Sequence, residues 1–363
     1  MANTLRVGII GASPRRGWAK ISHVPAVQQL PGLELAAVAG RDQATADATA
    51  RAFGAARGFA DAGAMARDPG VDLVTVTVKV PDHRALVLAA LAAGKHVYCE
   101  WPLGRDVAEA EELRDAAAAA GVHAVIGLQA RHNPALRRAR ALLADGAVGR
   151  VLSAHLASGT VAFGPRTDPA DFYLEDPANG ATHVSIHAGH AVDAAVALLG
   201  GLADLATLAA IQYAEVAVEG EDRVHRRTIP DLVLTQSRVA AGGVLSAEVA
   251  GGRPMDTTFR FEVVGDRGVL ALDGAAPRGF QSGRLTLSLD GTPQPVDEGE
   301  LAPLPDAACN VGGVYAALRD DVARGTRTVA DFGHAVALHR LVADLERAGS
   351  TGSRADADGW PNA

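Results

Sequence analysis

Long apolar runs and an excess of positive charge are missing from this chain, and cysteines are scarce. No stretch of about 18 uninterrupted apolar residues occurs, so no membrane-spanning helix and no membrane partner are expected. The opening residues "MANTLRVGII" enter a strand-like stretch without the basic and apolar zones of a secretory leader, and a cytoplasmic location is expected. Only two cysteines are present, Cys99 and Cys309. Two cannot build a disulfide framework, they lack metal-ligand spacing, and they suit a reducing compartment as small buried hydrophobes. The 34 lysines and arginines are outnumbered by 42 aspartates and glutamates, which gives a net charge of -8. That balance argues against a nucleic-acid surface, and basic clusters such as "RRAR" at 137–140 read as solvated helix faces.

What is present suits two domains: 363 residues, 48% of them hydrophobic, are too many for one ordinary core and enough to bury two. Short Val/Ile/Leu/Ala runs alternate with longer Ala-rich segments over the first 125 or so residues. Residues 5–10, 33–40, 71–78, 95–100 and 123–128 read as parallel strands buried on both faces, with helices over 23–30, 43–54, 83–94 and 106–121 between them. Gly94 and Gly121 stand where left-handed caps would end the last two helices. Beyond residue 128 the rhythm changes. A helix over 133–149, a strand over 151–159 and a His-rich helix near 180–199 precede strand-like runs at 231–240, 243–252, 258–274 and 284–291. These alternate as antiparallel strands open to solvent on one face. A last helix covers 331–349, and the polar 350–363 reads as a flexible tail. The expected architecture is α/β: a doubly wound parallel sheet of Rossmann type over 1–127, then an α+β domain over 128–349 with a large open, mostly antiparallel sheet.

The first strand runs into Gly8, Gly11, Ser13 and Gly17. Glycines at a strand-to-helix turn let the backbone approach a pyrophosphate and offer it N–H groups, although the same residues also serve a plain tight turn. The pattern is irregular, with Ser13 at its middle glycine and "PRR" lengthening the loop. An acid at the end of strand two would bind the ribose 2'-hydroxyl of NAD. Here Gly40 and Arg41 stand instead, and with Arg15 and Arg16 they favour the 2'-phosphate of NADP over NAD.

Residues 76–104, "VTVKVPDHRALVLAALAAGKHVYCEWPLG", resemble the Gfo/Idh/MocA family, named for glucose-fructose oxidoreductase, inositol dehydrogenase and a rhizopine-catabolism protein. The likeness extends over the glycine-rich start, "GLQARHNPALRRARALLADGAVG" at 127–149 and "GHAVD" at 189–193. At 16–30, 78–83, 100–102 and 337–342 it is similar to a subgroup that contains the fungal repressor of galactose genes, a non-catalytic relative. The resemblance implies a nicotinamide cofactor held by the glycine-rich turn, Trp18, Val78, Lys79, His83, Glu100, Trp101 and Pro102. It also implies a small-molecule substrate of sugar or polyol type and a homodimer or homotetramer.

The family's Glu-Lys-Pro lysine falls on Trp101, and the first Asp of its Asp-x-Gly-x-His-x-x-Asp helix falls on Ile186. Two proton-handling positions are thus apolar. His183, His187 and His190 share a helical face by spacing, so His187 and His190 are candidate acid/base groups, with Lys79 at the end of strand three as another. Without an acidic partner or an HExxH context, no metal is expected there. Trp101, Gln129, Arg131, Asn133, Tyr173, His183 and Asp193 are the candidate substrate contacts. Two functions follow: an NAD(P)-dependent oxidoreductase, possible also in a redox-neutral form that returns its hydride, or a cofactor-binding regulator without turnover.

Overall fold

The computed structural model describes residues 4–275 and 278–362. They fall into two compact units, Met1–Gln129 with Glu298–Val336, and Ala130–Asp297 with Ala337–Ala363.

In the first unit six parallel strands lie in the order β3-β2-β1-β4-β5-β6: β1 Leu5–Ile10, β2 Leu33–Ala39, β3 Arg57–Phe59, β4 Leu73–Val76, β5 His96–Glu100 and β6 Ala124–Gly127. This is the doubly wound arrangement, whose chain direction switches between β1 and β4. The connecting helices are α1 Trp18–Ile21, α2 His23–Gln29, α3 Gln43–Phe53, α4 Ala62–Arg67, α5 Val80–Ala92 and α6 Val107–Ala120. Their ends obey local chemistry. Asp42 accepts from Thr45 N at 2.8 Å to start α3, Asp106 accepts from Glu109 N at 2.9 Å to start α6, and Gly94 and Gly121 take positive φ just after α5 and α6. β4, the strand expected over 71–78, is shorter than its apolar run, so Thr77, Val78 and Lys79 lie in the turn that follows it.

The second unit begins with α7 Pro134–Ala144 and contains β7 Val151–Gly159, β8 Arg166–Thr167 and α8 Gly189–Leu199. Its sheet strands are β9 Asp204–Ala210, β10 Glu215–Val218, β11 Val224–Arg226, β12 Leu232–Arg238, β13 Val244–Ala250, β14 Phe259–Gly265, β15 Val269–Gly274, β16 Thr286–Leu289 and β17 Thr292–Pro293. A nine-stranded sheet runs β17-β16-β15-β14-β7-β13-β12-β9-β18, with β18 at Arg354–Asp356 and only β7 and β13 parallel. One face is covered, and the other exposes Leu208, Leu234 and Val244. Leu234 lies opposite Leu208, and Arg238 on the same strand lies opposite Val244, so all three share that face.

Three expectations need correction. The first unit does not stop at residue 127. The chain returns to it through α9 Asp306–Arg324 and the start of α10 Phe332–Thr351, where Ala330 O accepts from Ile126 N at 3.0 Å. Val311, Val314 and Leu318 of α9 pack with Val24 and Val27 of α2 and Leu30 just after it in one buried cluster. Each such side chain contributes roughly 1.5–3 kcal/mol by leaving water. The helix over 133–149 ends sooner, because Gly146 takes φ +73° and turns the chain. Nor is 350–363 a loose tail: β18 pairs with β9, and buried Trp360 donates to Asp344 at 2.8 Å.

Candidate active site

At the carboxyl edge of the parallel sheet, Gly11 takes φ +96°, and a Cβ there would stand 2.9 Å from the Thr77 carbonyl oxygen. Only glycine fits, because the turn needs both the left-handed backbone and the empty space. Thr77 fixes this approach by donating from both N and Oγ1 to Ile10 O, at 3.0 and 2.8 Å. Gly17 also has positive φ, at +110°. Gly8 is inside β1, where a side chain would meet Met65 and Val71, so it serves packing rather than the turn. In the loop Arg15 N donates to Ser13 Oγ at 3.4 Å, and Arg15, Arg16 and Arg41 are exposed, while Gly40 closes on α3.

The next two turns are braced from below. His83, expected at the cofactor, is instead buried, with Nδ1 2.9 Å from Pro102 O and Nε2 3.0 Å from Val78 O. It ties the Val78–Lys79 turn to the Glu100–Trp101–Pro102 turn, and burial pushes its pKa below the usual histidine range. Lys79 is exposed at the start of α5, Trp101 is buried and joined to Pro102 by a cis peptide, and Gln129 is buried just after β6. Glu100 ends β5 with its side chain 14% exposed and Oε1 3.1 Å from Nε2 of fully buried His23, within ion-pair reach but off line for a hydrogen bond.

In the second unit the His-rich segment opens with a π-helical turn, Val184–Ala188, before α8. His183 and His187 lie with ring centroids 5.5 Å apart, and both meet Phe163, at 5.3 and 5.7 Å. His183, expected at the substrate, is fully buried with Nε2 3.2 Å from Val249 O, so it is built into the sheet. Burial pushes it down to about 4, and burial with the two neighbouring histidines pushes partly exposed His187 well below its usual value. Both rings are neutral at pH 7. His190 is buried on α8.

Asp193 is committed to Arg131, whose Nε donates to both of its oxygens at 3.0 and 2.9 Å. Arg131 Nη2 has no hydrogen-bond partner among the described residues. Asn133 is buried and structural: its Oδ1 caps α7 through Ala135 N at 2.9 Å and its Nδ2 donates to Gly283 O at 3.1 Å. Tyr173 is half-buried, and burial, then Asp171, raises its phenol to about 12. Among the described residues no three His, Cys, Asp or Glu side chains come together as a metal site requires.

Residues 5–128 match the model of an oxidoreductase family with an NAD-binding Rossmann fold, GFO_IDH_MocA, and residues 134–274 match that of the Gal80p C-terminal domain. The chain thus resembles the Gfo/Idh/MocA family in its first part and Gal80p in its second. It is similar to dehydrogenase aclE of Aspergillus oryzae, 28% identical over 76% of this chain and 78% of that protein. It is equally similar, 28% over 84% of this chain and 75% of the relative, to the galactose/lactose metabolism regulatory protein GAL80 of Saccharomyces cerevisiae. Levoglucosan dehydrogenase, solved with NADH and L-sorbose, shares the fold with a TM-score of 0.83 and 20% identity, covering 98% of this chain and 99% of that one.

Set against the Gfo/Idh/MocA resemblance, the departures at Trp101 and Ile186 are chemical ones, since neither side chain carries a transferable proton. Sequence reasoning missed Thr77, which closes the glycine turn, and the buried chain of His23, Thr75 and Tyr315 behind Glu100. The first follows a strand-end position that could have been weighed with Gly11. The second left no local signal: His23 and Tyr315 are 292 residues apart.

Proposed function

We propose that the protein is an NAD(P)-dependent oxidoreductase acting on a sugar, polyol or similar polyhydroxylated compound. The carrying observation is the Gly11–Thr77 approach at the sheet's switch point, a cradle that any side chain would fill. Backbone N–H groups of residues 11–17 would hold the pyrophosphate, and Val78, Lys79 and Glu100–Pro102 would border the other half of the dinucleotide. Bound there, a nicotinamide supplies the hydride acceptor or donor. Arg41, with Arg15 and Arg16, supports NADP over NAD, since no carboxylate stands at residue 40 or 41 to repel a 2'-phosphate.

The chain's own residues move the proton. Lys79 is the exposed cation at the carboxyl edge, able to polarise a carbonyl or return a proton to an alkoxide. His187, neutral and partly exposed, and His190 are the alternatives, and Trp101 offers a flat apolar wall of the kind that suits a sugar face. The levoglucosan and inositol dehydrogenases among its relatives support a polyhydroxylated substrate. The apolar Trp101 and Ile186, together with the likeness to GAL80, favour a second reading: a cofactor-binding regulator without turnover. For assembly we take the open sheet face bearing Leu208, Leu234 and Val244 as the surface through which a cytoplasmic homodimer or homotetramer forms.

The test is to titrate NADH and NADPH, then follow the reduced-nicotinamide band across a sugar and polyol panel for wild type, Lys79→Ala and His187→Ala. Turnover that falls at least tenfold in one variant, with tighter NADPH than NADH binding, is expected at the scale of a lost general acid–base group, about 10²–10⁴-fold. Stoichiometric cofactor binding with no turnover on any substrate overturns the enzyme in favour of the regulator.

A further inference from the structure

Three turns of the cofactor edge are linked through one buried polar chain. His23 lies in α2, one short helix after the glycine-rich turn, and its ring is fully buried. Its Nδ1 is 3.0 Å from the Tyr315 hydroxyl, which is 2.9 Å from Thr75 Oγ1 in β4. Its Nε2 faces Glu100 Oε1 at 3.1 Å, and Glu100 ends β5.

The protons sort by elimination. A bare nitrogen lone pair against a carboxylate repels it, so Nε2 carries the N–H. Nδ1 is then an acceptor and takes the Tyr315 proton, and the phenol oxygen takes that of Thr75. The phenol stays protonated, because burial raises its pKa. The two hydrogen bonds therefore run toward His23 and strengthen one another, and the ring's Nε2–H faces the Glu100 carboxylate at 3.1 Å, off line for a hydrogen bond but near enough to favour its negative charge. From the other side the β6 backbone closes in: a Cβ on Gly127 would stand 2.5 Å from Glu100 Oε1. The Tyr98 hydroxyl is buried beside the same carboxylate, whose charge, after burial, raises that phenol well above its usual range. Among the described residues the titratable groups around Glu100 are His23, His83, Tyr98, Cys99 and Tyr315, and none of them is another carboxylate.

Oriented charge at this place has a consequence. The oxidised nicotinamide ring is a cation and the reduced ring is neutral. A doubly wound sheet lays the two halves of a dinucleotide on either side of its switch point, and Glu100 ends β5 on the side away from the glycine-rich turn. We propose that Glu100, held by His23 and Tyr315, biases the site toward the oxidised cofactor. His23 and Tyr315 are positioning residues in this scheme. The inference rests on the dinucleotide reading given above and adds a charge preference to it.

Calorimetric titration of the full-length protein with the oxidised and the reduced form of the preferred dinucleotide tests this, in wild type, Glu100→Gln, His23→Gln and His23→Leu, with melting curves to show that each variant folds. In Glu100→Gln, affinity for the oxidised form falls relative to the reduced form by roughly tenfold, the scale expected from losing one nearby charge in an effective dielectric of about 20. His23→Gln keeps an N–H toward Glu100 and stays near the wild-type ratio, whereas His23→Leu follows Glu100→Gln. A merely structural role weakens both forms together and leaves the ratio unmoved, and that outcome overturns the proposal while the cofactor reading stands. Wild-type protein that binds neither form overturns the cofactor reading, and the charge preference falls with it.

Discussion

Each unit buries a polar cluster, and the two are built on opposite plans. In the second unit Arg227 is fully buried and saturated. Its Nε and Nη2 donate to Glu175 at 2.8 and 2.6 Å, Nη1 donates to Asp231 at 2.9 Å and Phe163 O at 2.6 Å, and Nη2 also reaches Gly164 O at 3.1 Å. Asp231 in turn accepts from Gln212 N and Tyr213 N, at 2.7 and 2.9 Å. In the first unit the cluster is a single file, hydrogen-bonded from Thr75 to Tyr315 to His23, whose Nε2 then faces at ion-pair distance the Glu100 carboxylate, part of its side chain exposed. The saturated knot has no valence left for a ligand and acts as a lock. It holds Phe163 at φ +60°, a left-handed conformation unusual outside glycine, in the segment that leads to the histidines. The open-ended file keeps its last group available. Polar burial alone does not mark a functional site; an unsaturated end does.

The lock gives the largest expected effect. Arg227→Leu leaves Glu175 and Asp231 buried without their cation and destabilises the fold by about 3–5 kcal/mol. Arg227→Lys recovers little, because an ammonium has three donors and cannot reproduce the fork that serves two carboxylates and two carbonyls. Denaturant unfolding of both variants measures this. A loss under about 1 kcal/mol in Arg227→Leu, the range of an exposed pair, would remove the distinction between lock and file.

Acid sharpens the same comparison from the histidine side. His183 titrates at about 4 in the folded chain against 6.5 unfolded. Below 6.5 the unfolded chain takes up a proton that the folded one refuses, so this contribution is whole above pH 6.5, erodes as pH falls and is gone by about pH 4. The span corresponds to about 3 kcal/mol. His187, also lowered, adds in the same direction. Unfolding free energies of wild type and His183→Gln between pH 7 and 4 read it out: the wild type loses the difference and the variant does not. Parallel curves would mean that His183 is more open to water than its burial indicates.

Sequence reading reached different depths in the two units, for physical reasons. The parallel strands were legible because burial on both faces writes continuous apolar runs such as "LRVGII", and the sheet of the second unit because one open face writes alternation. The helix α9 was not legible. Its paired Gly312 and Gly313 look like a helix breaker, yet a Cβ on Gly312 would stand 2.4 Å from a Leu304 methyl, so close packing rather than a turn explains that glycine. The C-terminal strand β18 was hidden by its polar letters, although Arg354 donates to buried Asp204 at 2.8 Å, where Arg238 also binds. The strand-end positions of Gly11, Glu100 and Trp101 were readable from motif position. The demotion of His83, Asn133 and Asp193 to bracing roles was not, because hydrogen-bond partners far away in sequence decide whether a polar side chain faces a ligand or its own backbone.

The smallest effect tests whether the single file differs in kind from the lock. Tyr315→Phe removes one hydroxyl from a fully buried ring and leaves its packing against Tyr98 and His23, 5.0 and 5.7 Å away between ring centroids. His23 Nδ1 and Thr75 Oγ1 lose their shared partner, but no charge is stranded, since Glu100 still faces Nε2. The cost is therefore that of two neutral hydrogen bonds, about 1–3 kcal/mol, below the loss in Arg227→Leu. Denaturant unfolding of the two variants side by side decides it. A Tyr315→Phe loss as large as that of Arg227→Leu would show the file to be a second lock, and would take from Glu100 the separability of position and stability on which its charge preference depends.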